Sequence, residues 1–263
     1  MDWKLIIPSY KRPEIVINKT LKVCSRLNID KSLIYIFIIK DEEANYKIEA
    51  LNDYNIIVAD IEPGLDKMRN YITNYFPENA MLLSMDDDID DINQLIIDET
   101  ITDLNKSRRY KLISIEPLQF HTIINNAFES LLNEDIGIFG FYPIKNGFFM
   151  KDSEPITYSL KFCVGTMWGC LNQKDIQITI EEKEDVERTL KYFKKFKKIL
   201  RFNHINVATK YYKNKGGMQF LNNKTDRIEN SKISAKLLSE MYPEYCYLHT
   251  SKKSGIWEVK LRI

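Results

Sequence analysis

"AMLLSMDDDIDDI", residues 80–92, is the stretch on which the fold turns. An apolar run of strand length ends at Met85. Asp86, Asp87 and Asp88 follow at once, with Asp90 and Asp91 close behind. Neighbouring carboxylates repel, and in a partly dry site one of them is forced to hold a proton. A hard divalent cation such as Mg2+ or Mn2+ removes that conflict, because closely spaced oxygen ligands are what it prefers. An acidic turn facing water is the other reading of the same residues, and the surrounding elements have to choose.

Upstream, short apolar runs alternate with helical patterns. "WKLIIP" (3–8) reads as a buried strand ended by Pro8, and 13–28 as a helix with Pro13 in its first turn and Ile15, Leu21, Val23 and Leu27 on one face. "LIYIFII" (33–39) and "YNIIVAD" (54–60) read as two more strands. In "GLDKMRNYITNYF" (64–76), Leu65, Met68, Ile72 and Phe76 keep helical spacing, and "AMLLSM" (80–85) is a fourth strand. This order predicts an α/β fold built on a mostly parallel sheet. Ligands of such sheets sit in the crevice at the carboxyl ends of the strands. Three polar clusters fall at those ends: "SYKRP" (9–13), "KDEE" (40–43) and "DDD" (86–88). Three polar strand ends of one sheet describe a pocket, which favours the cation.

The second half is less regular. Strands are expected at 111–117, 136–144, 159–170 and 206–212, a helix over 184–200, a loop "KNKGGM" (213–218), a helix near 231–241 and a last strand near 256–262. A formal net charge of +1 offers no global attraction to nucleic acid or to an anionic membrane. Cys24, Cys163, Cys170 and Cys246 show neither C-x-x-C nor zinc spacing and read as reduced thiols. The polar N-terminus lacks a signal peptide's apolar core, and no apolar run approaches the roughly 18 residues of a membrane span. The expectation is a cytoplasmic protein without a membrane partner.

An Asp-x-Asp at the end of a fourth strand resembles the metal motif of GT-A glycosyltransferases, which use nucleotide-sugar donors. "IPSYKRP" (7–13), "KDEE" (40–43), "GLDKMRN" (64–70) and "EDVERTLKYF" (184–193) are similar, in the same order, to further segments of those enzymes. The overall look of "IIPSYKRPE", "YFPENAMLLSMDDDI" and "KYYKNKGGM" is most like the TET/JBP-associated glycosyltransferases of phages and related genomes. The resemblance implies a Rossmann-like GT-A domain over 1–263, with helices on both sheet faces. Residues 1–110 would hold the nucleotide-sugar and 111–263 an irregular acceptor side. It implies a UDP-sugar donor such as UDP-glucose, Mn2+ or Mg2+, and a hydroxymethylated pyrimidine of DNA as acceptor, with a host-cytoplasmic setting if the source is a phage. A glycan or small-molecule acceptor, or a binding module without turnover, are the alternatives.

Residue by residue, the resemblance assigns Pro8, Ser9, Tyr10 and Arg12 to the nucleotide, Asp41 to the base, and Arg69 to the donor. Asp88 is the metal ligand, and Asp86 binds the ribose or donor sugar and touches the metal. Asp87, facing the other way by strand alternation, serves structure. Asp185, beside Glu184, is the catalytic base, although both also suit the acidic first turn of a helix. Lys213 and Lys215 with Gly216 and Gly217 either meet the diphosphate or form a surface turn. Gly165, Thr166 and Trp168 form the wall toward the acceptor, where Trp168 either stacks on a sugar or extruded base or is simply buried. In "KYFKKFKKILR" (191–201) the apolar residues keep helical spacing, so the lysines fall on an outer face open to water or to DNA phosphate.

Overall fold

The computed structural model of the protein describes residues 1–209, 216–217, 224–250 and 256–262. In chain order its strands are β1 (Lys4–Pro8), β2 (Ile34–Ile39), β3 (Asn55–Ala59), β4 (Met81–Met85), β5 (Ile89–Ile97), β6 (Tyr110–Ser114), β7 (Ile138–Tyr142), β8 (Ile156–Thr157), β9 (Met167–Leu171), β10 (Leu200–Thr209), β11 (Cys246–His249) and β12 (Glu258–Leu261). The helices are α1 (Pro13–Asn18), α2 (Thr20–Arg26), α3 (Leu65–Tyr75), α4 (Pro117–Asn133), α5 (Gly147–Met150), α6 (Glu184–Phe196) and α7 (Lys224–Met241).

One sheet runs β3-β2-β1-β4-β9-β7-β10-β5-β6, with β8 beside β10, while β11 and β12 form a separate hairpin. β1 to β4 are mutually parallel, and β9 is antiparallel to both β4 and β7. β10 is parallel to β7, and β5 and β8 are antiparallel to β10. Most strands therefore share one direction, as the α/β pattern predicts. Where both sheet faces are covered, as at β1, β2 and β4, the strands are largely apolar rather than alternating with polar residues. Leu5 and Ile7 of β1 pack on Val16, Leu27, Ile124 and Phe128 beneath α1, α2 and α4. Ile6 points the other way, onto Met68 and Ile72 of α3, Leu190 of α6 and Leu238 of α7. β2 divides in the same manner, with Ile36 and Ile38 on one side and Phe37 and Ile39 on the other. Each such side chain contributes roughly 1.5–3 kcal/mol.

Several boundaries depart from the expected ones. The single helix over 13–28 is two, broken at Lys19 (φ −121°, ψ −86°). At the break, the Thr20 hydroxyl donates to the Asp86 carbonyl (2.7 Å) and accepts from Ile89 N–H (3.0 Å). A threonine that bonds neighbouring backbone competes with helix formation. Here the broken helix ties down the turn that carries the aspartates. The chain then returns as β5, a strand the polar "IDDINQ" obscures. Asp90 and Asp91 belong to it and pair with Lys19 (2.9 Å) and Arg26 (2.6 Å), so they brace α2 and leave the acidic turn to its first three members. The strand expected over 159–170 is confined to Met167–Leu171, preceded by irregular chain. The strand expected at 206–212 begins at Leu200, and residues 210–212 lie outside the described ones. The helix expected to reach 200 stops at Phe196, where Lys197 adopts φ 61°. Among the described residues no helix is long and apolar enough to cross a membrane.

Candidate active site

Asp86, Asp87 and Asp88 occupy the turn between β4 and β5, and the turn sends their side chains to different partners. Asp87 is buried inward. It accepts from Ser9 Oγ (2.7 Å) and from Arg12 Nη1 (2.9 Å), and Ser9 Oγ also bonds the Tyr46 hydroxyl (2.7 Å). Burial pushes the Asp87 carboxyl up to about 6, against the pull of Arg12 and Ser9. This closed network fixes the "SYKR" loop against the acidic turn.

Asp86 keeps 35% side-chain exposure and faces α3 and α6. Its N–H donates to the Thr166 carbonyl (3.0 Å), and its carboxylate lies 3.7 Å from Arg69 Nη2. Enclosure by the surrounding protein raises it to about 7; Arg69 opposes the rise, and Asp88, Asp87 and Glu184 add to it. Asp88 turns toward β10, accepting from Thr209 Oγ1 (2.9 Å) with Arg12 Nη1 at 3.4 Å. A carboxylate held near 7 by burial, with neighbouring carboxylates adding to the rise, is the condition a divalent cation relieves, so the oxygen set of Asp86 and Asp88 fits one. Among the described residues no group of three or more His, Cys, Asp or Glu forms a closed cage. Two carboxylates with positions left for water and phosphate is the usual provision for Mg2+. His121 and His204 bond the backbone carbonyls of Leu27 and Ser153, both at 2.9 Å.

Asp185 stands in the first turn of α6, partly exposed. Its Oδ2 accepts from Gly165 N–H (3.2 Å) and its Oδ1 from Val186 N–H (2.9 Å). Burial and the neighbouring Glu184 raise its carboxyl above the ordinary value, with Arg188 and the two N–H groups opposing. Glu184, expected beside it in catalysis, is buried instead. It is clamped by Arg188 in a short ion pair and by Arg69 Nε at 3.5 Å, so both guanidiniums occupy the carboxylate that would have to accept a proton. The pair places Arg69 between Asp86 and Glu184, joining the β4 turn to the helix that carries Asp185.

The remaining expected residues divide. Pro8 ends β1 beside Phe37, Ser9 is buried, and Tyr10 accepts through its carbonyl from Gly217 N–H (3.0 Å). Arg12 Nη2 donates to the Gly216 carbonyl (2.9 Å). Gly216 and Gly217 have φ of 80° and 61°, and an added Cβ would lie 2.8 Å from the Lys11 carbonyl or 2.6 Å from Arg12 Cζ. These glycines are required for the approach. Lys213 and Lys215 lie outside the described residues. Asp41 is exposed on a 3-10 turn, whereas its neighbour Glu42 is buried beside Asn45, and periodicity cannot tell adjacent acids apart there. Gly165 and Thr166 line the Asp185–Asp86 seam. Of the two readings of Trp168, the structure shows the buried one. It is buried, with the Arg188 guanidinium 3.8 Å from its ring centroid and that of Arg69 at 5.5 Å, because β9 is an interior strand. Thr20, Tyr46, Thr209 and Arg188 were not foreseen. Thr20, Tyr46 and Thr209 act by long-range contact, for which local sequence carries no signal, whereas Arg188 pairs with Glu184 at i,i+4, a spacing that "EDVER" shows.

No protein-family model and no curated protein matches the chain in sequence. Solved structures match it in fold. A mycobacterial protein shares 9% identity over 99% of this chain and 82% of its own, with a TM-score of 0.51. Glucosyl-3-phosphoglycerate synthase from Mycobacterium tuberculosis, in complex with Mg2+ and UDP, shares 10% over 99% of this chain and 86% of its own, with a TM-score of 0.50. The mixed, mostly parallel sheet with helices on both faces is the GT-A fold.

Proposed function

We propose that the protein is a metal-dependent glycosyltransferase that moves a sugar, most simply glucose, from a UDP-sugar to an acceptor hydroxyl. The observation that carries this reading is the meeting, at the carboxyl end of the interior strand β4, of the Asp86–Asp88 turn with the part-exposed Asp185, joined through Arg69 and Glu184. The solved neighbour that binds Mg2+ and UDP on the same fold supports the donor and the cation. Asp86 and Asp88 would hold Mn2+ or Mg2+, which when bound supplies Lewis-acid stabilisation of the leaving diphosphate. Arg12 and Arg69 add fixed positive charge beside it, and the Gly216–Gly217 backbone borders the same loop. Lys213 and Lys215 stay assigned to the diphosphate by their place in the sequence. Asp41, exposed just after β2, stays the acid proposed to meet the nucleobase.

Asp185 accepts the acceptor's proton as the acceptor oxygen bonds to the anomeric carbon, and the bond from that carbon to the diphosphate breaks. The anomeric configuration inverts. A carboxylate raised above its usual value is a better base near neutrality, and Gly165 N–H keeps it oriented.

A hydroxymethylated pyrimidine of DNA is the acceptor that the sequence resemblance favours. A small molecule or glycan is the second reading, favoured by the solved neighbour, which is by name a glucosyl-3-phosphoglycerate synthase; the burial of Trp168 removes a stacking platform from either acceptor. Intact mass of hydroxymethylcytosine and hydroxymethyluracil duplexes after incubation with Mn2+ and UDP-glucose separates them. A hexose increment on modified DNA alone supports the DNA acceptor; UDP release without an increment supports the second. Absence of both from UDP-glucose and other UDP-sugars overturns the transferase.

A further inference from the structure

β6 ends the sheet and pairs with β5 alone, in an unbroken antiparallel register from Ile97 opposite Tyr110 to Asn93 opposite Ser114. Ile115 N–H donates to the Ile92 carbonyl (2.9 Å), and Asp98 N–H to the Arg109 carbonyl (2.8 Å). Antiparallel ladders alternate, so Lys111 and Ile113 also turn their main-chain groups toward β5, while Tyr110, Leu112 and Ser114 turn theirs outward. Gly147 of α5 stands against the Tyr110 carbonyl, where an added Cβ would come within 2.5 Å. The outward N–H and C=O groups of Leu112 and Ser114 have no partner among the described residues.

Sheet edges are normally guarded by proline, a bulge or a free charge. β6, "YKLIS", has no proline and no register shift, and its one charge, Lys111, is held by Asp98 (2.8 Å). Apolar surface adjoins this open edge. Ile113 is 45% exposed, and Ile96, opposite Lys111 on the same ribbon face, is 40% exposed. Gln119 bonds Gln94, which lies opposite Ile113, so the first turn of α4 stands on that face too, and its Leu118 is 81% exposed. Main-chain donors and acceptors at strand spacing, flanked by apolar side chains, are met by another strand. The edge is complementary to itself. In antiparallel pairing about a two-fold axis at Ile113, Leu112 of one copy meets Ser114 of the other, and each such pair exchanges both main-chain hydrogen bonds. Tyr110 then falls opposite Glu116, so the basic approach to one strand, Arg108 and Arg109, runs beside the acidic end of the other. Parallel pairing would set like charges together, so charge selects the antiparallel arrangement.

We propose that β6 is a homodimerisation edge, at which two copies of the chain join antiparallel through Leu112–Ser114 into one continuous sheet. Ile96, Ile113 and Leu118 of both copies are covered around the axis. The interface stands independently of the glycosyltransferase reading, because its formation needs neither donor nor acceptor.

Sedimentation velocity of the intact protein at up to about 100 μM tests it. The expected result is a species of twice the chain mass. Ser114→Pro removes one outward N–H and leaves the main-chain bonds to β5 in place, and Ile113→Lys sets two like charges at the axis. Each should raise the dissociation constant at least about tenfold, with circular dichroism unchanged. Hydrogen exchange on the unsubstituted protein serves if a variant fails to fold: the Leu112 and Ser114 amides, open on a single chain, should exchange at least about tenfold more slowly than in an unstructured peptide. A single-chain mass at about 100 μM overturns the proposal. A dimer whose Leu112 and Ser114 amides exchange without protection overturns it, as does one that both folded variants form with unaltered affinity.

Discussion

At the scale of single residues, three adjacent aspartates meet three sets of partners because the turn after β4 aims each a different way. Asp87 is committed to Ser9 and Arg12, so its role is to hold the loop. Asp88 faces Thr209 and Arg12 at the β10 side. Asp88→Ala should lower Mn2+-dependent transfer by at least about 100-fold, the scale of losing one electrostatic anchor of the leaving group. Circular dichroism should stay unchanged, and undiminished activity would remove Asp88 from the cation site. Asp185→Asn should reduce kcat by about 10²–10⁴-fold, the usual range for a general base, with donor KM nearly unaltered. A change confined to KM would make Asp185 a binding group. The pH response follows from the raised carboxyls. Asp86 at about 7 and Asp87 at about 6 hold protons in the folded state that the unfolded chain has already released. Stability from these groups is therefore gained on acidification through that window and lost as pH rises through it. A cation favours the ionised forms. The Mn2+-induced rise in thermal midpoint should accordingly be larger above the Asp86 value than below the Asp87 value, and the opposite trend would dissociate the cation from these carboxylates.

Among the elements, the break between α1 and α2 is the least expected and the most consequential. Apolar spacing over 13–28 is consistent with one helix; the chain breaks at Lys19, and the Thr20 hydroxyl beside the break bonds both Asp86 and Ile89. Thr20→Val keeps the shape and removes both hydrogen bonds of a fully buried group. Stability should fall by about 1–3 kcal/mol in urea denaturation, and Mn2+ affinity should fall with it as the turn loosens. Unaltered Mn2+ affinity would show that the turn needs no such support. Element types were legible wherever apolar runs were long and uninterrupted, as in β1, β2 and α3. They were obscured where polar residues punctuate a strand, as in β5, whose Asn93 is buried by β10 and β6 rather than shown to water.

For the whole molecule, the charges of either sign nearly cancel. Formal net charge is +1, and the lysines near the end of α6 are engaged locally. Lys195 pairs with Asp175, Lys197 donates to the Tyr245 hydroxyl, and Lys198 donates to the Glu134 carbonyl. The end of α6 lies roughly 16 Å along the helix axis from Asp185 at 1.5 Å per residue. Replacing Lys194, Lys195, Lys197 and Lys198 with glutamine should therefore leave the salt dependence of transfer unaltered. A flattened slope would return this face to the account as a phosphate contact.

The sequence by itself determined the alternation of strand and helix, the sheet that follows from it, and the gathering of polar residues at strand ends, because apolar periodicity and chain direction are local properties. It also located the acidic turn and the acid-rich start of α6. Only the tertiary structure decided which carboxylate does what. Glu184 is locked between two arginines brought from α3 and from its own helix, and Glu42 is buried where Asp41 is exposed. Trp168 is sealed beneath guanidiniums. A side chain's protonation, exposure and partners depend on groups many residues away in the chain, and those meet only when the two faces of the sheet are covered.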